Sequence, residues 1–107
     1  MKIELPSYHW FVSRHEGRFA TNIYSGSVGT AADAGCICGR TFNYRVFVDI
    51  SSGNESEFHL IAESYLIQPW RLGGHKTDFE KSEFLGSEDG VAQAASWLSE
   101  VSSKYGF

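Results

Sequence analysis

The sequence predicts a single α+β domain, an antiparallel β-meander of four to five strands with one C-terminal amphipathic helix packed on one face. Three observations carry this reading. Two central segments alternate apolar and polar residues with a period of two. The final stretch repeats apolar residues at helical spacing instead. The chain of 107 residues, 42% hydrophobic and 15% aromatic, is enough for one core and leaves no room for a second domain.

The first element is a hairpin. Tyr8 to Arg14 and Arg18 to Tyr24 flank the turn His15-Glu16-Gly17, although Trp10-Phe11-Val12 breaks the alternation. From Ser25 to Arg40 the sequence reads as a loop. Gly26, Gly29, Gly35 and Gly39 surround Thr30-Ala-Ala-Asp-Ala34, and a loop this long in a compact domain is often functional.

The clearest strands follow. From Thr41 to Ile50 the even positions are Phe42, Tyr44, Val46, Val48 and Ile50, rich in the aromatic and β-branched residues that strands favour. Glu57 to Ile67 repeats the alternation with Phe58, Leu60, Ala62, Ser64 and Leu66, and Pro69 ends the strand because it lacks a backbone donor. The turn cluster Ser51-Ser-Gly-Asn-Glu-Ser56 joins them as a hairpin. Placing Ile50 opposite Phe58 sets Val48 against Leu60, Val46 against Ala62 and Tyr44 against Ser64 on the inner face. Large side chains then meet small ones under a crossing helix. The outer pairs become Asp49 with His59, Phe47 with Ile61 and Arg45 with Glu63, so charge meets opposite charge and apolar meets apolar. A one-residue slip would turn one strand's entire apolar set outward.

Lys76 to Leu85 is a further strand, and its charges (Lys76, Asp78, Glu80, Lys81, Glu83) suit a sheet edge that must resist pairing. The helix begins at Ser87 as N-cap, with Glu88 and Asp89 in the first turn facing the positive end of the dipole. Val91, Ala94, Ala95, Leu98, Val101 and Tyr105 form its apolar stripe with Trp97 beside them, and Gly106 stops it.

Charge and composition exclude several classes of function. The net charge is −4 and the nine Lys and Arg residues are scattered, so the clustered cations that nucleic-acid binding needs are missing. No charged-then-apolar leader opens the sequence and no apolar run approaches the roughly 18 residues of a membrane span. These features predict a cytoplasmic protein with no membrane or nucleic-acid partner. The acidic residues do cluster: Asp78, Glu80, Glu83, Glu88 and Asp89 share one stretch with Lys81. That stretch reads as a solvated edge and helix start, or as a surface that blocks a basic target in the manner of an inhibitor or immunity protein.

Little in the sequence points to catalysis. Gly26-Ser-Val-Gly-Thr30 is a loose phosphate-cradle pattern without the following Gly-Lys-Ser/Thr. Cys36 and Cys38, separated by Ile37, lack the two-residue spacing of redox pairs, and His9, His15, His59 and His75 form no metal-binding spacing with them. A Cys36 or Cys38 nucleophile served by His59 and Asp49 would have to come from a distant loop, whereas Asp49 and His59 read more simply as a surface ion pair. No cofactor or metal is expected.

The outer sheet face is more informative. Phe47, Ile61, Tyr65 and Ile67 fall together there, with Trp70 just beyond Pro69. One helix covers one face only, so this patch requires a cover: the N-terminal hairpin, a second copy of the chain, or another partner. A competing reading is a small-molecule-binding protein or enzyme with a pocket between sheet and helix, lined by Tyr8, Trp10, Tyr44 and Trp97, with the Gly-rich loop from Ser25 to Arg40 as its lid. The expected function is a non-enzymatic binding module that self-associates as a homodimer.

Ser87-Glu-Asp-Gly-Val-Ala-Gln-Ala-Ala-Ser-Trp97-Leu98, following a meander, resembles the ending of small uncharacterised cargo proteins of mobile elements, of integron-cassette and phage type. The likeness spans about the last fifth of the chain. It implies a stand-alone gene product, compatible with a dimer, and transfers no site residue.

A bridge between Cys36 and Cys38 would be strained and would close almost no loop, so both thiols are expected reduced and metal-free. Replacing both with serine should leave the circular dichroism spectrum and the unfolding midpoint unchanged. Stoichiometric zinc in the purified protein would contradict this.

Overall fold

The protein is described by a computed structural model over residues 2–29, 40–69 and 73–107. It is an α+β fold. A short helical turn, α1 (Tyr8–Phe11), leads into β1 (Val12–His15) and β2 (Arg18–Thr21). There follow β3 (Tyr24–Gly29), β4 (Thr41–Asp49), β5 (His59–Ile67), β6 (Lys76–Leu85) and the helix α2 (Glu88–Lys104). The first two strands form a separate ribbon, and the other four make an antiparallel meander in the order β3-β4-β5-β6.

The register of β4 and β5 is the one the residue pattern demands. Asp49 lies opposite His59, Val48 opposite Leu60, Phe47 opposite Ile61, Val46 opposite Ala62, Arg45 opposite Glu63 and Tyr44 opposite Ser64. Arg45 closes an ion pair on Glu63 at 2.9 Å. Asp49 behaves differently from the expected ion pair with His59. Its carboxylate accepts the Ser51 N–H at 2.9 Å, and hydrogen bonds from Ser51 hold it below the ordinary carboxylate range, with His59 a lesser influence. The turn is longer than a tight hairpin because Glu55–Glu57 coil into a 3-10 turn, with the Asn54 side chain accepting the Ser56 N–H.

Two expectations are corrected at the start of the chain. The sequence Trp10-Phe11-Val12 does not alternate because Tyr8–Phe11 is helical, which shortens the first hairpin to four residues on each side. The stretch expected to begin a loop at Ser25 continues as β3, pairing Tyr24 with Val46 through Gly29 with Thr41. Gly26 permits this, since a Cβ there would run into the Tyr44 hydroxyl opposite it. Gly26 and Gly29 are therefore strand residues, with their backbone committed to the β4 ladder rather than to a phosphate. Cys36 and Cys38 lie outside the described residues, as does Trp70.

The core fills one face of the sheet. Phe42, Tyr44, Val46, Val48, Phe58, Leu60, Ala62 and Leu66 meet Val91, Ala94, Leu98 and Val101 of α2. The N-terminal segment completes the same layer with Ile3, Tyr8 and Phe11, while Val12 and Phe19 of the ribbon pack against its margin. Phe19 sets its ring edge-on to Phe58 at 5.0 Å. Two backbone bonds pin the segment along the helix. The Ile3 N–H donates to Ser99 Oγ at 2.9 Å, and the Tyr8 N–H donates to Glu88 Oε1 at 2.8 Å.

Both ends of α2 are closed by specific hydrogen bonds. Ser87 Oγ accepts the Gly90 N–H at 3.1 Å. At the other end Gly106 takes the left-handed conformation (φ 88°), and the N–H groups of Gly106 and Phe107 donate back to the carbonyls of Ser103 and Ser102. That pair of bonds is the Schellman arrangement, for which glycine is the favoured residue. Among the described residues no helix is long and apolar enough to cross a membrane.

Leu98 is fully buried at the centre of the helix–sheet contact. Leu98→Ala should destabilise the fold by about 2–5 kcal/mol in chemical denaturation. A loss below about 1 kcal/mol would mean that the site collapses around the smaller side chain.

Candidate functional site

Strand alternation places the odd positions of β4 and β5 on the face away from α2. Phe47, Ile61, Tyr65 and Ile67 all lie there, and none of them belongs to the core cluster. The ribbon expected as one possible cover packs on the inner side instead. Ile61 is buried even so, walled in by its cross-strand neighbours Phe47 and Glu83; Phe47, Tyr65 and Ile67 are half-buried. Three further apolar side chains extend this surface. Leu85 is opposite His59 and 66% exposed, Phe79 is 68% exposed, and Ile23 precedes β3 and is also exposed.

Phe79 lies on this face beside an irregularity in β6. Ser64 pairs with Glu80 but Leu66 pairs with Thr77, so Asp78 and Phe79 together oppose Tyr65. This is a β-bulge, and Asp78 takes a left-handed backbone at φ 55° to make it. The Phe79 ring stacks on Tyr65 with centroids 5.6 Å apart and planes at 28°. Lys76 Nζ lies 5.1 Å from the Tyr65 centroid, and the Arg45 guanidinium lies 5.4 Å from that of Phe47. A cavity of about 410 Å3 opens beside the stack, lined by Arg45, Glu63, Tyr65, Lys76, Phe79 and Lys81 among others. A second of about 300 Å3 shares Arg45 and Tyr65 with it and reaches Ser25, Ser27 and Asn43.

The four side chains expected to line a pocket between sheet and helix do not converge on one. Trp10 sets its ring edge-on to Tyr24 at 5.6 Å, and Tyr24 leans on Tyr44 at 6.3 Å, which makes an aromatic row along the margin of the sheet. Tyr8 is buried near Gly86 and the Phe58 carbonyl. Trp97 lies on the other flank, edge-on to Phe84 at 6.2 Å. These aromatics fill and flank the core. Burial pushes the Tyr8 and Tyr44 phenols above their ordinary range, helped by the Glu55 charge at Tyr8 and by Tyr24 at Tyr44.

The acidic stretch does not form one face. Glu80 lies opposite Ser64 on the inner side and pairs with Lys104 at 3.1 Å, whereas Glu83 lies opposite Ile61 on the outer side. Glu88 is engaged with the Tyr8 N–H, and Asp78 accepts the Thr77 hydroxyl at 2.9 Å. Among the described residues no group of three or more His, Cys, Asp or Glu side chains is placed to hold a metal.

The residues missing from the sequence reading of this face are Phe79, Lys81, Leu85 and Ile23. Phe79 shares the odd parity of Phe47 and Ile61, but parity transfers between strands only once the register of β6 against β5 is known. The one available signal is local: Asp78 is a residue type that tolerates the left-handed backbone a bulge requires.

The Tyr8 and Ser64 hydroxyls are buried with no hydrogen-bond partner among the described residues. An unsatisfied buried hydroxyl weakens a fold, so Tyr8→Phe should leave stability unchanged or raise it by up to about 1 kcal/mol in chemical denaturation. A loss larger than that would show that the hydroxyl is bonded in solution.

No family model matches the chain, and neither does any curated protein or solved structure.

Proposed function

We propose that the protein is a non-enzymatic binding module that works through the outer face of its four-stranded sheet, and that the occupant of this face is a second copy of the chain. One observation carries the reading. The helix and the N-terminal segment use up the apolar inner face, while Phe47 and Ile61 lie side by side on the outer face with Leu85 and Ile23 at its margins. A contiguous apolar surface of this kind marks an interaction site.

The charges around the pair favour self-association. A two-fold axis lying along the Phe47–Ile61 row stacks each of these residues on its own counterpart. Successive outward rows lie about 7 Å apart along a strand. The row Asp49–His59 of one protomer then meets the row Arg45–Glu63 of its partner. Asp49 faces Arg45 and His59 faces Glu63, so the surface is complementary to itself, as a closed dimer requires. Tyr65 and Ile67 lie towards the rim of this contact. A stand-alone dimeric product also accords with the likeness of the helix segment to cargo proteins of mobile elements, and with a cytoplasmic setting.

Sedimentation velocity at micromolar concentration should give twice the 11.9 kDa chain mass. A stable dimer buries about 1,200 Å2 or more in total. Phe47→Asp combined with Ile61→Asp should convert it to a folded monomer. A wild-type chain that sediments as a monomer under these conditions refutes self-association.

A further inference from the structure

We infer that the bulged end of the outer face is a binding site for a small planar aromatic ring that carries an anionic group, a carboxylate or a phosphate. The inference goes beyond self-association, because the site lies on the far side of the Arg45–Glu63–Lys81 row from Phe47 and Ile61. Tyr65 is four residues from Ile61 along β5, about 13 Å in an extended strand.

Three features meet there. The first is shape: a cavity of about 410 Å3 falls within the range of small-molecule pockets. The second is an aromatic platform. Phe79 lies against Tyr65 with 68% of its surface still open, so a further ring can stack on it. The bulge at Asp78 brings Lys76 onto the same face, opposite Ile67, and bulges that re-aim a side chain recur beside binding sites.

The third feature is charge. Arg45, Lys76 and Lys81 all line the cavity, against the two carboxylates of Glu63 and Glu80. Glu63 is committed to Arg45, and among the described residues neither Lys76 nor Lys81 has a carboxylate within 4 Å. The other acids are engaged as well. The Glu80 carboxylate is held by Lys104 on the inner side, and Asp78 accepts the Thr77 hydroxyl. The cavity is thus locally cationic on a chain whose net charge is −4. A ring stacked on Phe79 would set its anionic group between Lys76 and Lys81, where two ammonium groups supply charge-assisted hydrogen bonds. The alternative occupant of a cationic, aromatic groove is a nucleic-acid strand, but that requires a longer track of cations than these three supply.

The test is a titration followed by 15N–1H correlation spectra, run on the wild-type chain and on the Phe47→Asp/Ile61→Asp chain. Indole-3-acetate and phenyl phosphate should each produce saturable shifts at Tyr65, Phe79 and Lys81, with affinities in the millimolar range expected of ligands this size. Which of the two binds more tightly identifies the anionic group. Acetate, which has no ring, and tryptamine, which carries the opposite charge, should bind far more weakly. Phe79→Ser and Lys81→Glu alter exposed edge positions, and each should weaken the aromatic acid by at least about fivefold. The inference is overturned if neither probe saturates on either chain, if tryptamine binds as tightly as indole-3-acetate, or if both variants bind like the parent. Loss of binding on both chains leaves self-association standing. A wild-type chain that is monomeric yet binds indole-3-acetate leaves the site standing.

Discussion

The pairing of β4 with β5 is the constraint on which the rest of the molecule depends. Nine consecutive residues on each strand oppose one another, and this sorts every side chain into an inner or an outer set. The inner set is large on β4 and includes Ala62 and Ser64 on β5, and the small pair admits α2 close to the sheet. The outer set mixes apolar and charged residues, which is why that face is neither a second core nor an ordinary solvated surface. A slip of one residue would bury Arg45 and expose Val46, so sheet and surface are specified by the same set of contacts.

Much of this was legible in the sequence because the signal was local and repeated. Alternation over about ten residues fixed both central strands, and Ser87 with its two following acids fixed the start of α2. The apolar spacing from Val91 to Val101 fixed the face that the helix buries. What escaped depends on partners distant in the chain. β3 looks like a loop because Gly26 and Gly29 carry no strand propensity. It is a strand because β4 offers a ladder and the Tyr44 side chain needs the space over Gly26. Tyr8–Phe11 defeats a period-of-two reading because it is a single helical turn, too short to show a period of its own.

The outer face was half legible. Phe47, Ile61, Tyr65 and Ile67 could be assigned to it from parity alone. The contribution of β6 could not, because its register against β5 is not readable from either strand alone and the bulge at Asp78 moves Lys76 to the outer face. Lys76 and Lys81 thus look like ordinary edge charges until the pairing, regular at Lys81 and shifted at Lys76, sets them to either side of Tyr65 and Phe79. The same irregularity makes β6 a poor template for a further strand, since the edge is kinked where a straight partner would have to continue. Protection against edge-to-edge pairing and the shaping of the cavity are therefore two results of one backbone deviation.

The strapping of the N-terminal segment along α2 has a consequence for the order of assembly. The β4–β5 hairpin joins strands that are neighbours in sequence, and such local contacts form early because little chain entropy is lost in making them. The bond from Ile3 to Ser99 spans 96 positions and that from Tyr8 to Glu88 spans 80. Those contacts close only when the earliest and latest parts of the chain are both present. During synthesis the meander can pair while its inner face waits for α2, and Ile3, Tyr8 and Phe11 are available from the beginning as a provisional cover for it. The segment upstream would thus shield the apolar face until the later helix arrives and clamps it in place.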